Sequence, residues 1–214
     1  MSPRRLAFVL AIATSAVLVA MVMVSVVTGA TQEAHEYYSP PRAYAVGLLA
    51  HANGLRLLMG LDLAFLVLYT ALFATLAKFL TELGRPFVRL ALAFMIGTAV
   101  LDAIEDHQII TALDLAQHGE LVSETWVAAQ QVLSGTKFAL SYVGLVLFGL
   151  AIPRTRKLGI VLAVFLTVGT LLTAVLSLGA PPDLRANLDS TRWLSFLAGF
   201  TVLALWLRTE PDPS

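Results

Sequence analysis

The chain has 214 residues, of which 58% are hydrophobic and 13% charged, far more apolar than a soluble domain, in which about a quarter of residues carry charge. Lys plus Arg and Asp plus Glu both number 14, so the balanced charge offers no basic face for nucleic acid. The sequence contains no cysteine, which excludes disulfides, thiolate nucleophiles, thiolate-bound zinc and cysteine-ligated clusters.

Leu6 to Val27 carries no charge and follows Arg4 and Arg5. It is longer than the apolar core of a cleaved leader, about 7–15 residues, and reads as a signal anchor retained as the first span over 6–28. Thr31 to Arg42 is polar, with Glu33, Glu36, two tyrosines and Pro40–Pro41, and reads as a loop. Ala43 to Leu80 is mostly apolar. As one helix it would be about 57 Å long, well beyond a hydrocarbon core of about 30 Å. Asn53–Gly54 is the expected break, giving a short extra helix over 43–52 and a second span over 55–78.

Lys78, Glu82, Gly84, Arg85 and Pro86 make a turn, with Pro86 suited to the first turn of the next helix. The third span, 87–110, is expected to continue as helix to Gln117 and to stop at Gly119. Ser123 is a good N-cap for the fourth helix, whose span covers 126–152. Pro153 to Lys157 is the next turn, and the fifth span runs over 158–178. A Pro-containing loop from Gly179 to Asp189 precedes the sixth span, 190–207, and the tail is 208–214.

The basic residues orient this arrangement. Arg4, Arg5, Lys78, Arg85, Arg89, Arg154, Arg156, Lys157 and Arg208 fall on one side, against Arg42, Arg185 and Arg192 on the other. An excess of nine to three puts both termini in the cytoplasm of a plasma or inner membrane. The expected fold is all-α, a single integral membrane six-helix bundle with the short extra helix before its second span. No internal repeat is evident, so an inverted-repeat carrier is not indicated.

Polar residues inside the apolar spans mark a site. The third span runs from Leu90 to Leu101 without charge and then reads Asp102, Ala103, Ile104, Glu105, Asp106, His107. At about 100° per residue, Thr98, Asp102, Glu105 and Asp106 share one face and His107 lies off it. Charge at membrane depth costs several kcal/mol unless paired, protonated or facing internal water. The fourth helix supplies a counterpart, because Gln130, Ser134, Lys137 and Ser141 recur at helical spacing through an otherwise apolar span. The two helices are consecutive and antiparallel, so Lys137 is expected to pair with Asp102 or Asp106. From the second helix, Arg56 and Asp62 enter at the same end, with Tyr69 on Asp62's face. The sixth brings Arg192, with Ser195 and Gly199 on its stripe. His51 and His107 are read as solvated.

The ligand-binding set is therefore Asp62, Asp102, Glu105 and Asp106 as acceptors, with Lys137 and Arg56 as counter-charges, around a polar pocket opening outward. Such a set can exchange a proton or cation when a ligand arrives. The expected function is binding or passage of a small polar or cationic species, with no cofactor and no catalytic residues assigned. The partners are the lipid bilayer and a second copy or another membrane protein, since six spans are few for a monomeric carrier. One alternative is an accessory or scaffold protein whose buried charges only fix helix register. A third is a membrane enzyme using the carboxylates as acid, base or metal ligands. No His-Glu-x-x-His or Glu-x-x-His pattern is present to favour a metal.

Overall fold

A computed structural model describes residues 1–179 and 182–211, with the backbone alone for 177–179 and 182–191. Arg185, used above, is among the side chains outside that description. Every regular element among the described residues is helical. In chain order these are α1 (Pro3–Thr28), a 3-10 turn (Glu33–His35), α2 (Pro41–Ala50), α3 (Ala52–Glu82), α4 (Val88–Gln117) and α5 (Glu124–Ala151). They are followed by α6 (Lys157–Val164), a π turn (Phe165–Gly169), α7 (Thr170–Gly179) and α8 (Pro182–Thr209). Four helices are long and apolar enough to cross a membrane: α1, α3, α5 and the continuous Lys157–Leu176 stretch of α6, π turn and α7. The acids of α4 keep it outside that set, and α8 is not in it either, so four such helices stand against the six spans expected.

Local chemistry sets the ends. Ser2 caps α1 by accepting from the Arg5 amide, and Gly29 closes it in the left-handed region at φ 71°. The Ser123 hydroxyl accepts from the Trp126 amide at 3.1 Å, as the N-cap reading requires. Three boundaries differ from expectation. The break before α3 falls at His51, and Asn53–Gly54 lie inside the helix. Gly54 instead permits a close approach, since a Cβ there would stand 2.4 Å from Thr28 Oγ1. Pro86 precedes α4, which starts at Val88 after Phe87 takes φ 62°. Finally, α8 begins at Pro182, so helix replaces most of the loop placed at Gly179–Asp189. Proline at the N1 position suits that start.

The helices close into a ring in sequence order. α1 packs on α3, α3 on α4, α4 on α5, α5 on the α6–π–α7 stretch, that stretch on α8, and α8 back on α1. Between α4 and α5 the register is unbroken and antiparallel. A Cβ on Gly144 would meet Met95 Sδ at 2.7 Å, Lys137 lies opposite Asp102 and Ser134 opposite Glu105. Each step along α4 is matched by an equal step back along α5. At one end of the ring, arginines cap helix carbonyls. Arg4 donates to the Leu207 carbonyl at 3.0 Å, Arg85 to that of Ala151 at 2.8 Å, and Arg156 to that of Thr209. The start of α1 and the end of α8 therefore meet, and the cations answer the negative ends of α5 and α8.

Candidate functional site

Inside the opposite half of the ring, α3, α4 and α5 each turn a polar stripe inward. Asp62, Thr98, Asp102, Glu105, Asp106, Gln130, Ser134, Lys137 and Ser141 are all buried. Lys137 Nζ donates to Asp102 Oδ1 at 2.9 Å and to Glu105 Oε2. Glu105 also accepts from the Ser134 hydroxyl, and the second oxygen of Asp102 accepts from the Tyr69 hydroxyl at 3.2 Å. One ammonium thus serves two carboxylates, each further held by a neutral hydroxyl. This is the arrangement that makes a buried ion pair tolerable, because its remaining lone pairs are satisfied.

Beside this pair stand two more acids. Asp62 and Asp106 are both buried and lie beside one another, one on α3 and one on α4. Oxygens of Asp62, Asp102 and Asp106 all lie within 4.8 Å of one another, close enough to hold a metal ion between α3 and α4. Asp102 and Asp106 are one turn apart on α4, and Asp62 comes from α3, the helix before it. Asp106 Oδ2 is buried without a hydrogen-bond partner, while Oδ1 accepts from Gln32 Nε2 at 3.3 Å.

Gln32 belongs to the connection between α1 and α2, read from sequence as a plain loop. In the structure Gln32, His35 and Glu36 are buried, and the connection folds over the cluster as a lid. Glu36 accepts from Arg192 Nη2 of α8 at 2.9 Å, tying the lid to the far side of the ring. Arg192 also lies over the Phe138 ring at 4.3 Å, and Lys137 Nζ over the same ring at 4.8 Å. His35 sits edge-on to Tyr44 of α2, ring centroids 5.3 Å apart. Burial, with a smaller contribution from the charge of His51, holds the His35 imidazole down to about 4. Burial pushes the Tyr44 hydroxyl up, and Glu105 adds to the effect.

The cavity enclosed here has a volume of about 100 Å³. Its walls include Glu36, Asp62, Asp102, Lys137 and Arg192 among the rings of Phe65, Tyr69, Phe73, Phe138, Trp193, Phe196 and Phe200. A second cavity of about 180 Å³, between α5, the π turn and α8, shares Phe73, Leu145, Arg192, Phe196 and Phe200 with the first.

Of the six residues chosen from sequence, five meet in this cluster: Asp62, Asp102, Glu105, Asp106 and Lys137. Arg56 does not join them. It is about half exposed and pairs with Asp114 and Gln117 at the far end of α4. The histidines lie off the site as read, His51 bonded to the Thr28 carbonyl and His107 to that of Ala103, both exposed. No protein-family model matches the chain, and no curated protein and no solved structure matches it.

Proposed function

We propose that the chain is a six-span membrane protein that binds a small cation in the cavity of its helix ring, with Asp62, Asp102 and Asp106 as acceptors. In this reading α4 and α8 cross the membrane with the four more apolar helices, and both termini are cytoplasmic. The support for α4 is that Asp102, Glu105 and Asp106 are buried inside the ring, the first two on Lys137, which takes these charges off the surface turned to lipid. The support for orientation is the basic excess on the side of the termini. The cavity then opens toward the outer side.

One observation carries the cation reading: three carboxylates converge within 4.8 Å of one another, and two of them, Asp62 and Asp102, line a cavity that Lys137 also lines. Charge bookkeeping makes the consequence concrete. Asp62, Asp102, Glu105, Asp106 and Glu36 are buried against Lys137 and Arg192. Five buried acids thus face two buried basic groups, an excess of three. Buried charge without a partner is costly, so the site favours uptake of a cation or of protons, and the two compete. Lys137 is the built-in counter-charge that keeps the site from collapsing when no guest is present.

The test is calorimetric titration of the purified protein with a series of inorganic and organic monovalent and divalent cations, in weak buffer so that released protons register. A saturable signal with proton release is expected in the wild type, and Asp62→Asn should abolish the release. If no cation gives heat or releases protons, the buried charges serve only as register pins.

A further inference from the structure

We infer that the cation is an organic ammonium ion, with the Asp62 carboxylate as its counter-ion and a cage of aromatic rings as its walls; this rests on the cation reading above. Phe65, Tyr69, Phe73 and Phe200 form a closed cycle on the cavity wall. Centroids are 5.3 Å apart for Phe65 and Tyr69, 6.4 Å for Tyr69 and Phe73, 6.5 Å for Phe73 and Phe200, and 6.0 Å for Phe65 and Phe200. None of these four contacts is a face-to-face stack, their planes being tilted by 52° to 76°. Three of the four rings come from the same helical stripe of α3, and Asp62 lies one turn before Phe65 on that stripe. A carboxylate is therefore set at the rim of an aromatic cage.

This chemistry selects among cations. An alkylated ammonium spreads its charge over methyl or methylene groups that aromatic faces attract, and it gives up little hydration on entry. A hard metal ion needs six or more oxygen ligands or retained waters, which walls of phenyl rings do not provide. Elsewhere on the cavity wall, outside this cycle, one ring already carries cations: Lys137 and Arg192 both rest on Phe138. Size fits too. With about 10–15 Å³ the least space that holds one water, a cavity of about 100 Å³ has room for a small organic ion.

The experiment uses the full chain in detergent micelles, with choline, its neutral isostere 3,3-dimethylbutan-1-ol, potassium chloride and magnesium chloride, read by calorimetry and by tryptophan fluorescence, since Trp193 lines the cavity. Choline is expected to bind at least about tenfold more tightly than the neutral isostere. Phe65→Leu should weaken choline by about tenfold while leaving the thermal midpoint within a few degrees of wild type. Asp62→Asn should remove the preference for choline over the isostere. If potassium or magnesium saturates the site and choline does not, the ammonium assignment is overturned and cation binding stands. If the isostere binds as well as choline, the site is a neutral apolar pocket and the assignment falls. If nothing binds, both readings fall together.

Discussion

Lys137 shows what a single side chain does here. Its ammonium is shared by Asp102 and Glu105, and all three are buried, so removing it leaves two carboxylates with only Tyr69 and Ser134 to satisfy them. Breaking one partner of a buried pair costs about 3–5 kcal/mol, whereas replacing the whole group with apolar or neutral isosteres is often near neutral. Lys137→Met should therefore lower stability in detergent by that amount, measured by chemical or thermal unfolding. Combining it with Asp102→Asn and Glu105→Gln should recover all but about 1 kcal/mol. Equal stability of Lys137→Met and wild type would show that the ion pairs are solvated. These residues could be read from sequence because polar groups at helical spacing in an apolar span have no other place to face. Gln32 and Glu36 could not, since a polar residue in a polar connection looks the same whether it is solvated or folded inward. Only the partner on a distant helix, Arg192 for Glu36, distinguishes the two.

Among the elements, the close packing of α3 on the end of α1 depends on one glycine. At Gly54 a Cβ would stand 2.4 Å from Thr28 Oγ1 and 3.0 Å from Ala30 Cβ, whereas at Gly60, on the same helix, it would meet nothing within 4 Å. Alanine gains about 0.5–1 kcal/mol over glycine in a helix interior, and overpacking costs about 1–3 kcal/mol. Gly54→Ala should therefore destabilise the fold and Gly60→Ala should stabilise it, by thermal unfolding of the two variants side by side. The sequence pattern suggested a break at Asn53–Gly54 because glycine marks both breaks and close contacts, and only the neighbouring helix decides between them. The π turn at Phe165–Gly169 was equally hidden, lying within an unbroken apolar run.

Burial of His35 predicts that the lid responds to pH. Its imidazole is held at about 4 when buried and returns to about 6.5 when solvated, so the open form binds more protons between those values. Closed-lid stability is complete above pH 6.5 and declines as pH falls toward 4, by about 3 kcal/mol in all. Hydrogen exchange of the backbone amides of 31–39 should accelerate over that window in the wild type. The acceleration should disappear in His35→Phe, whose ring can keep the edge contact with Tyr44. An unchanged pH profile in that variant would assign the response to other groups.

For the whole molecule, the ring order follows the chain order, so each helix needs only its sequence neighbour and one closing contact, α8 on α1. Short connections make consecutive helices antiparallel, which is why the facing stripes of α4 and α5 could be matched in advance. The closure by α8 could not, because no residue in its stripe names α1 as its partner. Closure brings Arg4 to the Leu207 carbonyl and so places the two ends of the chain at one face, the face where Arg85 and Arg156 also cap helix ends. The proposed topology makes that face cytoplasmic and the lid external, and the absence of native cysteine makes a direct test simple. Ser2→Cys and Tyr38→Cys, the latter at a half-exposed position of the α1–α2 connection, would be treated with a membrane-impermeant maleimide in intact cells. Tyr38→Cys should label at once, and Ser2→Cys only after the membrane is permeabilised. The reverse pattern would turn the cavity toward the cytoplasm. Labelling of both in intact cells would put the two faces on one side and remove the odd number of crossings that α1 must make between them.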